Sequence, residues 1–143
     1  MTTGTLIAMT ETDDPDVAIV VAAYRAFAAG DIHSAVTDLH PDVEWIEPLE
    51  FPNGGRRVGR AAVFEYLQSS RASWRELRST PAVSRRGERI VAVHHIEGVL
   101  VDGTPHEATV ADVFTVRGEQ VVHMKAYADP SEVPGLNICR PEG

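Results

Sequence analysis

The second half of the chain constrains the fold most, because it is a run of strand-like segments with a turn signal between each pair. Four candidate strands are delimited, at about 77–84, 89–101, 106–116 and 120–128. The turn signals are Arg86-Gly87-Glu88, Asp102-Gly103 and Arg117-Gly118-Glu119. Turns of this kind connect neighbouring antiparallel strands, and Pro81 in the first segment is typical of an edge strand or a bulge. This half therefore predicts an antiparallel meander.

The first half instead shows helical periodicity and predicts three helices. Asp14 followed by Pro15 is the pattern of a helix N-cap with proline in the first turn, and Gly30 ends the apolar run. Asp31 is predicted to cap a second, short helix. A third helix is predicted from Arg60 to about residue 70.

One strand is predicted within this helical half, at 43–48, between a turn at 40–42 and a loop at 52–55. Helices followed by an antiparallel meander define an α+β fold, with the helices packed on one face of the sheet. We expect one domain over 14–133, preceded by a flexible leader at 1–13 and followed by an irregular tail at 134–143.

Composition excludes several classes of protein. The 143 residues carry a net charge of −8, and 43% of them are hydrophobic, which is ordinary globular usage. The longest apolar run, 17–24, is too short to span a bilayer, and no cationic residue precedes Arg25 as a secretory signal requires. We therefore expect a soluble, cytoplasmic protein that does not bind membranes.

Cofactors and nucleic acids are not expected either. Cys139 is the single cysteine, no spacing suggests a metal site, and no glycine-rich phosphate loop is present. Nine of the twelve arginines lie between Arg56 and Arg89. Because few aromatic residues accompany them and the protein is acidic overall, we interpret them as solvated rather than as a nucleic-acid footprint.

The alternation along 106–116 singles out one carboxyl. Its bulkier apolar face carries Ala108, Val110, Asp112, Phe114 and Val116. This face is predicted to be buried, and Asp112 with it. A buried carboxyl commonly stays protonated because its charged form is costly there. The alternative is an Asp112 that pairs with an arginine or accepts a backbone amide hydrogen bond.

Other strands leave more open. Glu47 shares a face with Trp45, and it is either a site residue or an ordinary surface glutamate. On 89–101 both faces are apolar, so that either His95 and Glu97 or His94 and Ile96 point inward. On the last strand the apolar face is Val122, Met124, Ala126 and Ala128. The wetter face, His123, Lys125 and Tyr127, is either an oligomer interface or solvated.

Several segments together resemble a known family. They are Ala29-Gly30-Asp31, the sequence HPDVEWIEP at 40–48, Gly59-Arg60, Ala111-Asp112-Val113-Phe114, and VVHMKAYAD at 121–129. Their order and spacing resemble the ketosteroid isomerase branch of the nuclear transport factor 2-like superfamily. The wider group includes SnoaL-like polyketide cyclases and limonene epoxide hydrolase-like enzymes. The resemblance covers about 16–133.

The resemblance implies a cone-shaped α+β barrel, in which a curved antiparallel sheet and the helices enclose one deep pocket, and often a homodimer. It implies a general base at Glu47 and a protonated oxyanion-hole carboxyl at Asp112. It also implies that His95 faces the pocket, as a second hydrogen-bond donor or proton relay that Glu97 orients. The implied substrate-binding residues are Tyr24, Phe27, Trp45, Phe64, Val93, Glu97, Val110, Phe114, Met124 and Ala126.

Two positions depart from the family patterns. The tyrosine that the isomerases carry on the first helix corresponds to Ala23 here, and Tyr24 lies about 100° further round the helix. An epoxide-hydrolase site needs an Arg-x-Asp pair and an acid on the last strand, where this chain has His95-x-Glu97 and Ala126.

The function predicted from these residues is proton transfer next to a carbonyl: isomerisation, dehydration or aldol-type cyclisation of a small hydrophobic substrate, without a cofactor. Glu47 would take the proton and protonated Asp112 would donate to the enolate oxygen. One alternative is a non-catalytic ligand-binding or dimerisation module of the same fold. Another is an epoxide hydrolase in which His95, Glu97 and Asp112 activate water.

Overall fold

A computed structural model describes residues 14–51 and 53–135. This part contains three α-helices, six strands and one 3₁₀ turn. In chain order they are α1 (Pro15–Ala28), α2 (Ile32–Ala35), β1 (Leu39–Glu47), β2 (Gly55–Val58), α3 (Arg60–Ala72), β3 (Trp74–Arg86), β4 (Arg89–Leu100), β5 (Pro105–Arg117), β6 (Gln120–Tyr127) and the 3₁₀ turn Pro130–Glu132. The predicted leader, and the predicted tail beyond 135, lie outside the described residues.

The first helix begins and ends where the sequence predicts. The Asp14 carboxylate accepts the backbone N–H of Asp16 at 3.1 Å, and Gly30 takes a φ of +84° just after the helix. Arg85, near the end of β3, donates to Asp14 at 2.7 Å and so ties the start of α1 to the sheet. Val17, Val20 and Tyr24 form the buried face of the helix.

The strands form one curved, unclosed sheet in the order β2-β1-β6-β5-β4-β3, and the helices pack against its inner face. The α+β architecture is therefore as predicted. Four of the five pairings are antiparallel, whereas β1 and β6 run parallel. The sheet is thus mixed rather than antiparallel throughout, because the chain returns after β5 to place its last strand beside its first.

The first three strands differ from the prediction, and of these β3 is longer than the predicted 77–84 at both ends. β1 begins at Leu39, which pairs with Val121, and its register becomes regular only from Glu44. The turn predicted at 40–42 is therefore an irregularity inside the strand. β2 was not predicted, because its four residues are too few to show an alternation.

A bulge in β6 changes the predicted inward face. Val116 pairs with Val121 and Thr115 pairs with His123, so Val122 is an extra residue in the ladder. As a result Val121 and Met124 both lie in the core between helices and sheet. The prediction that Val122 faces inward is wrong, while Met124 and Ala126 do face inward.

The outer face of the sheet carries a second, smaller apolar cluster. Its buried members are Val91, Ala111, Val113 and Val133, with Val93 and Tyr127 packed against them. Val133 follows the 3₁₀ turn, whose start is capped by Asp129 accepting the backbone N–H of Ser131 at 3.0 Å. Both faces of the central strands are thus partly covered. In the described part of the chain, no helix has the length and apolar character needed to cross a membrane.

Candidate active site

A cavity of about 500 Å³ lies between the helices and the inner face of the sheet, and apolar side chains form most of its wall. Alternate residues of β5 follow one wall from the interior outward: Phe114, Asp112, Val110, Ala108 and His106. Phe114 and Val110 are buried, Ala108 is half-buried and His106 is exposed, so the cavity opens at the His106 end. Phe51, Asn53 and Trp74 also line it.

Two carboxyls face this cavity from different strands. Glu47 ends β1 and Asp112 lies within β5, with β6 between them. Asp112 pairs with Ala126, and the parallel register places Ala126 beside Glu47 as well. Because Ala126, which is buried beneath the cavity, carries only a methyl group, its side chain does not separate the two carboxyls, and both line the same cavity.

Each carboxyl is held by a hydrogen bond from an aromatic side chain. The Tyr24 hydroxyl donates to Oδ2 of Asp112, and the Trp45 indole Nε1 donates to Oε2 of Glu47 at 2.8 Å. The Tyr66 side chain, on α3, also lines the cavity, and its hydroxyl lies near Glu47. Among the described residues no other group donates to Asp112, which leaves its Oδ1 free to meet a ligand.

Burial raises the pKa of both carboxyls. The pKa of Glu47 is raised to about 8, first by burial and then by the negative charge of Asp112. Burial raises the pKa of Asp112 to about 6, against the Tyr24 hydrogen bond, which stabilises the charged form. The two groups therefore titrate as a pair that retains one proton at neutral pH. A raised pKa for Asp112 was predicted from the sequence, whereas the raised pKa of Glu47 was not.

The two tyrosines remain donors throughout this range. Burial and the nearby Asp112 charge raise the pKa of Tyr24 well above its usual value. Burial and the Glu47 charge do the same for the pKa of Tyr66. Tyr24 lies one residue beyond the position that matches the isomerase tyrosine, yet its hydroxyl reaches Asp112, and Ala23 also lines the cavity.

Of the two histidines on β4, His94 faces the cavity and His95 does not. His94 is 6% exposed, its Nε2 lies 2.6 Å from the Ser79 hydroxyl, and its ring packs edge-on against Tyr24. Burial lowers the pKa of His94 to about 4, so the ring is neutral at physiological pH. It offers a hydrogen bond rather than a charge.

The prediction that Val93, His95 and Glu97 face the pocket is therefore wrong. β4 pairs Ala92 with Asp112, and since every second residue shares a face, His94 and Ile96 point inward. Outside, His95 contacts Thr109 at 2.9 Å and Glu107 at 3.2 Å. Because His95 and Glu97 lie on the opposite side of the sheet from Asp112, the three residues that the epoxide-hydrolase alternative requires are not brought together.

Three further predicted lining residues lie in the core instead. Phe64 packs against the main cluster and against His33, with ring centroids 4.7 Å apart. Met124 and Ala126 are buried in the sheet beneath the cavity wall. The predicted residues that do line the cavity are Glu47, Asp112, Tyr24, Phe27, Trp45, Val110 and Phe114.

Tyr66, His94 and Trp74 are cavity residues that the sequence reasoning missed. A signal existed for Tyr66, which follows buried Val63 by three residues and so shares its helix face. His94 was one of two possibilities left open by the alternation. Trp74 lies where α3 meets β3, a boundary that no pattern marked.

In the described ranges, one group of side chains brings potential metal ligands within 4.8 Å of one another: His95, Glu97 and Glu107 on the outer face. Arg78 donates to Glu97 at 3.1 Å and His95 pairs with Glu107. These ion pairs account for the group, and we assign no metal to it.

Comparison with known proteins agrees with this architecture. Residues 20–124 match the SnoaL-like domain family, and the chain therefore belongs to that family. No curated protein sequence is significantly similar to it.

Among solved structures, TerC co-crystallised with polyporic acid is similar, with 25% identity and a TM-score of 0.70 over 81% of this chain and 92% of TerC. A proposed polyketide cyclase from Xanthomonas campestris has 27% identity and a TM-score of 0.68 over 82% of this chain and 92% of its own. A nuclear transport factor 2-like protein of unknown function from Burkholderia pseudomallei has 24% identity and a TM-score of 0.71 over 82% and 92%, and supports the fold alone.

Proposed function

We propose that the protein is an enzyme that transfers a proton next to a carbonyl group of a small apolar substrate, in an isomerisation, a dehydration or an aldol-type cyclisation. The observation that carries the proposal is a pair of half-buried carboxyls, Glu47 and Asp112, that face one apolar cavity. Burial raises the pKa of both, so that the pair holds one proton at neutral pH. Such a pair supplies a base and an acid at the same pH. Membership of the SnoaL-like family and the similar proposed polyketide cyclase support this reaction class.

In this proposal Asp112 is the base and Glu47 the acid. Tyr24 stabilises the charge of Asp112 through Oδ2, which leaves Oδ1 to remove a proton from the carbon beside the carbonyl. Protonated Glu47 accepts the Trp45 N–H on Oε2 and donates its own proton to the developing enolate oxygen. These roles are the reverse of those that the resemblance implies, because burial and the charge of Asp112 raise the pKa of Glu47 above that of Asp112.

The fate of the enolate separates the three reactions. Return of the proton from Asp112 to a different carbon gives an isomer. Loss of a hydroxyl group beta to the carbonyl as water, with the proton that Asp112 has taken, gives a dehydrated product and restores the carbonyl. Attack of the enolate carbon on a second carbonyl closes a ring, and the new alkoxide takes the proton from Asp112. All three begin with the same proton transfer, so that step is the one to measure.

The test is hydrogen exchange next to the carbonyl in deuterated water, followed by NMR. Acetophenone, a β-hydroxyketone and a 1,3-diketone serve as probes, and the matched control is the double variant E47Q/D112N. We expect the wild type to exchange the protons beside the carbonyl of at least one probe, and the double variant to lose this exchange. General acid–base catalysis contributes roughly 10²–10⁴-fold, so the difference lies well above background.

Binding without exchange would contradict the proposal. If a probe saturates the cavity of the wild type, as judged by quenching of Trp45 fluorescence, and its protons exchange no faster than with the double variant, the cavity is a ligand-binding cup. That outcome would favour the non-catalytic module of the same fold.

A further inference from the structure

Arg57 touches three parts of the site at once. It lies on β2 directly opposite Trp45, the residue that donates to Glu47. Its guanidinium stacks over the Tyr66 ring with 4.2 Å from Cζ to the ring centroid, and its Nη2 donates to the backbone carbonyl of Asn53 at 2.6 Å. One side chain thus contacts α3 and the segment that borders the cavity opening.

The charge of Arg57 is not taken up by a direct ion pair. Within the described ranges, no carboxylate lies within 4.0 Å of its guanidinium, whereas neighbouring Arg56 is paired with Glu44 on the outer side. The groups that face Glu47 are Asp112 from β5, Tyr66 from α3, Trp45 from its own strand and Arg57 from β2. Arg57 is the single cation among them.

We propose that Arg57 is a positioning residue of the site, which holds the Tyr66 hydroxyl against Glu47 and links it to the Asn53 segment at the cavity opening. The contacts of Arg57 do not depend on which reaction the site catalyses, but their functional consequence rests on the proposed role of Glu47. A planar guanidinium can stack on a ring and donate sideways at the same time, and a lysine ammonium cannot. The proposal therefore requires arginine rather than positive charge alone.

The consequence for Glu47 follows from two losses. Without Arg57 the Tyr66 ring loses its stacking partner, so that its hydroxyl is no longer fixed near Glu47, and Glu47 also loses a nearby positive charge. Each of these stabilises the charged carboxylate, so their removal raises the pKa of Glu47 further.

The experiment is a carbon-13 NMR titration of the Glu47 side-chain carboxyl in R57M, R57K and Y66F. The matched control is R56M, which removes an adjacent arginine from the outward face of the same strand. We expect R57M to raise the midpoint of Glu47 by about half a pH unit to one unit and R56M to leave it unchanged. R57K should raise the Glu47 midpoint by more than half as much as R57M does, because lysine keeps the charge but not the stacked geometry.

The route through Tyr66 has its own test. Y66F should raise the Glu47 midpoint by itself, and R57M should then add less in the Y66F background than in the wild type. If R57M does not fold, R57K and Y66F carry the same comparison.

Three results would overturn the proposal: an unchanged Glu47 midpoint in folded R57M, equal shifts in R57M and R56M, or full additivity with Y66F. None of these readouts needs a substrate. If the wild type fails to exchange ketone protons, the proposed function is wrong, but the inference about Arg57 is not affected. If instead the Glu47 titration contradicts the role of Arg57, the proposed function is not affected.

Discussion

Asp112→Asn is expected to lower the exchange of protons next to a ketone carbonyl by at least about a thousand-fold, whereas Glu47→Gln is expected to lower it by about ten- to a hundred-fold. The difference follows from the proposed roles. An asparagine cannot accept a proton at pH 7, but a glutamine keeps an N–H that donates a hydrogen bond to the enolate oxygen. Each amide also keeps an oxygen for the donor that holds it, Tyr24 or Trp45.

The comparison of the two amides decides between two assignments. Both variants are assayed with the same ketone, after circular dichroism has shown that each is folded. If D112N is the milder variant and E47Q loses the activity, Glu47 is the base, as the resemblance implies. Our assignment of Asp112 as the base and Glu47 as the acid is then wrong. Equal, small losses in both variants would remove the carboxyl pair from the mechanism.

The second large effect concerns stability. The unfolded chain ionises both carboxyls near pH 4, whereas the folded chain keeps its protons up to about 6 on Asp112 and about 8 on Glu47. Between these values the folded state binds more protons than the unfolded state. The free energy of unfolding therefore falls as the pH rises from about 4 to about 8, and this loss is complete above that range.

Removal of the two charges should reverse this loss. At pH 8.5 the double variant E47Q/D112N is expected to be more stable than the wild type by about 3 kcal/mol, or roughly 10 °C in Tm. At pH 4.5, where the wild-type carboxyls are protonated in the folded state, the two proteins should melt within a few degrees of each other. Differential scanning calorimetry at both values measures the difference.

The control for this experiment is E44Q, on the same strand as Glu47. Hydrogen bonding to Arg56 lowers the pKa of Glu44, so its removal should not stabilise the protein at pH 8.5. A double variant that melts at or below the wild-type temperature at pH 8.5 would contradict the raised pKa values on which the account depends.

Much of the fold followed from local signals in the sequence. The cap at Asp14, the proline at 15 and the glycine at 30 set α1, and the turn signals set the hairpins of β3 to β6. The parallel pairing of β1 with β6 left no local trace, because it joins strands more than seventy residues apart in the chain. β2 was too short for a pattern, and the Val122 bulge shifts a face without any glycine to mark it.

The candidate site could be predicted where one face of a strand is clearly more apolar than the other. Asp112 was found this way, since β5 has a bulkier apolar face. β4 gave no such contrast, because Val91 on its outer face is covered by Val133 while Ile90 and Ala92 are buried inside. His94 and His95 were therefore indistinguishable, and the resemblance favoured the wrong one. Tyr24 lies one residue beyond the position at which the isomerases carry their tyrosine. Its hydrogen bond to Asp112 could not be predicted, because the helix angle says nothing about how far a long side chain reaches.

The central claim is that Glu47 and Asp112 retain one proton between them at neutral pH. A carbon-13 NMR titration of the side-chain carboxyls tests it most directly, with signals assigned from E47Q and D112N. The account predicts that the pair releases its first proton near pH 6 and its second near pH 8. In each single variant, the remaining carboxyl should titrate at a lower pH than the second step of the pair, because the repulsion is gone. Two independent titrations near pH 4 would contradict the claim, and with it the proposed chemistry.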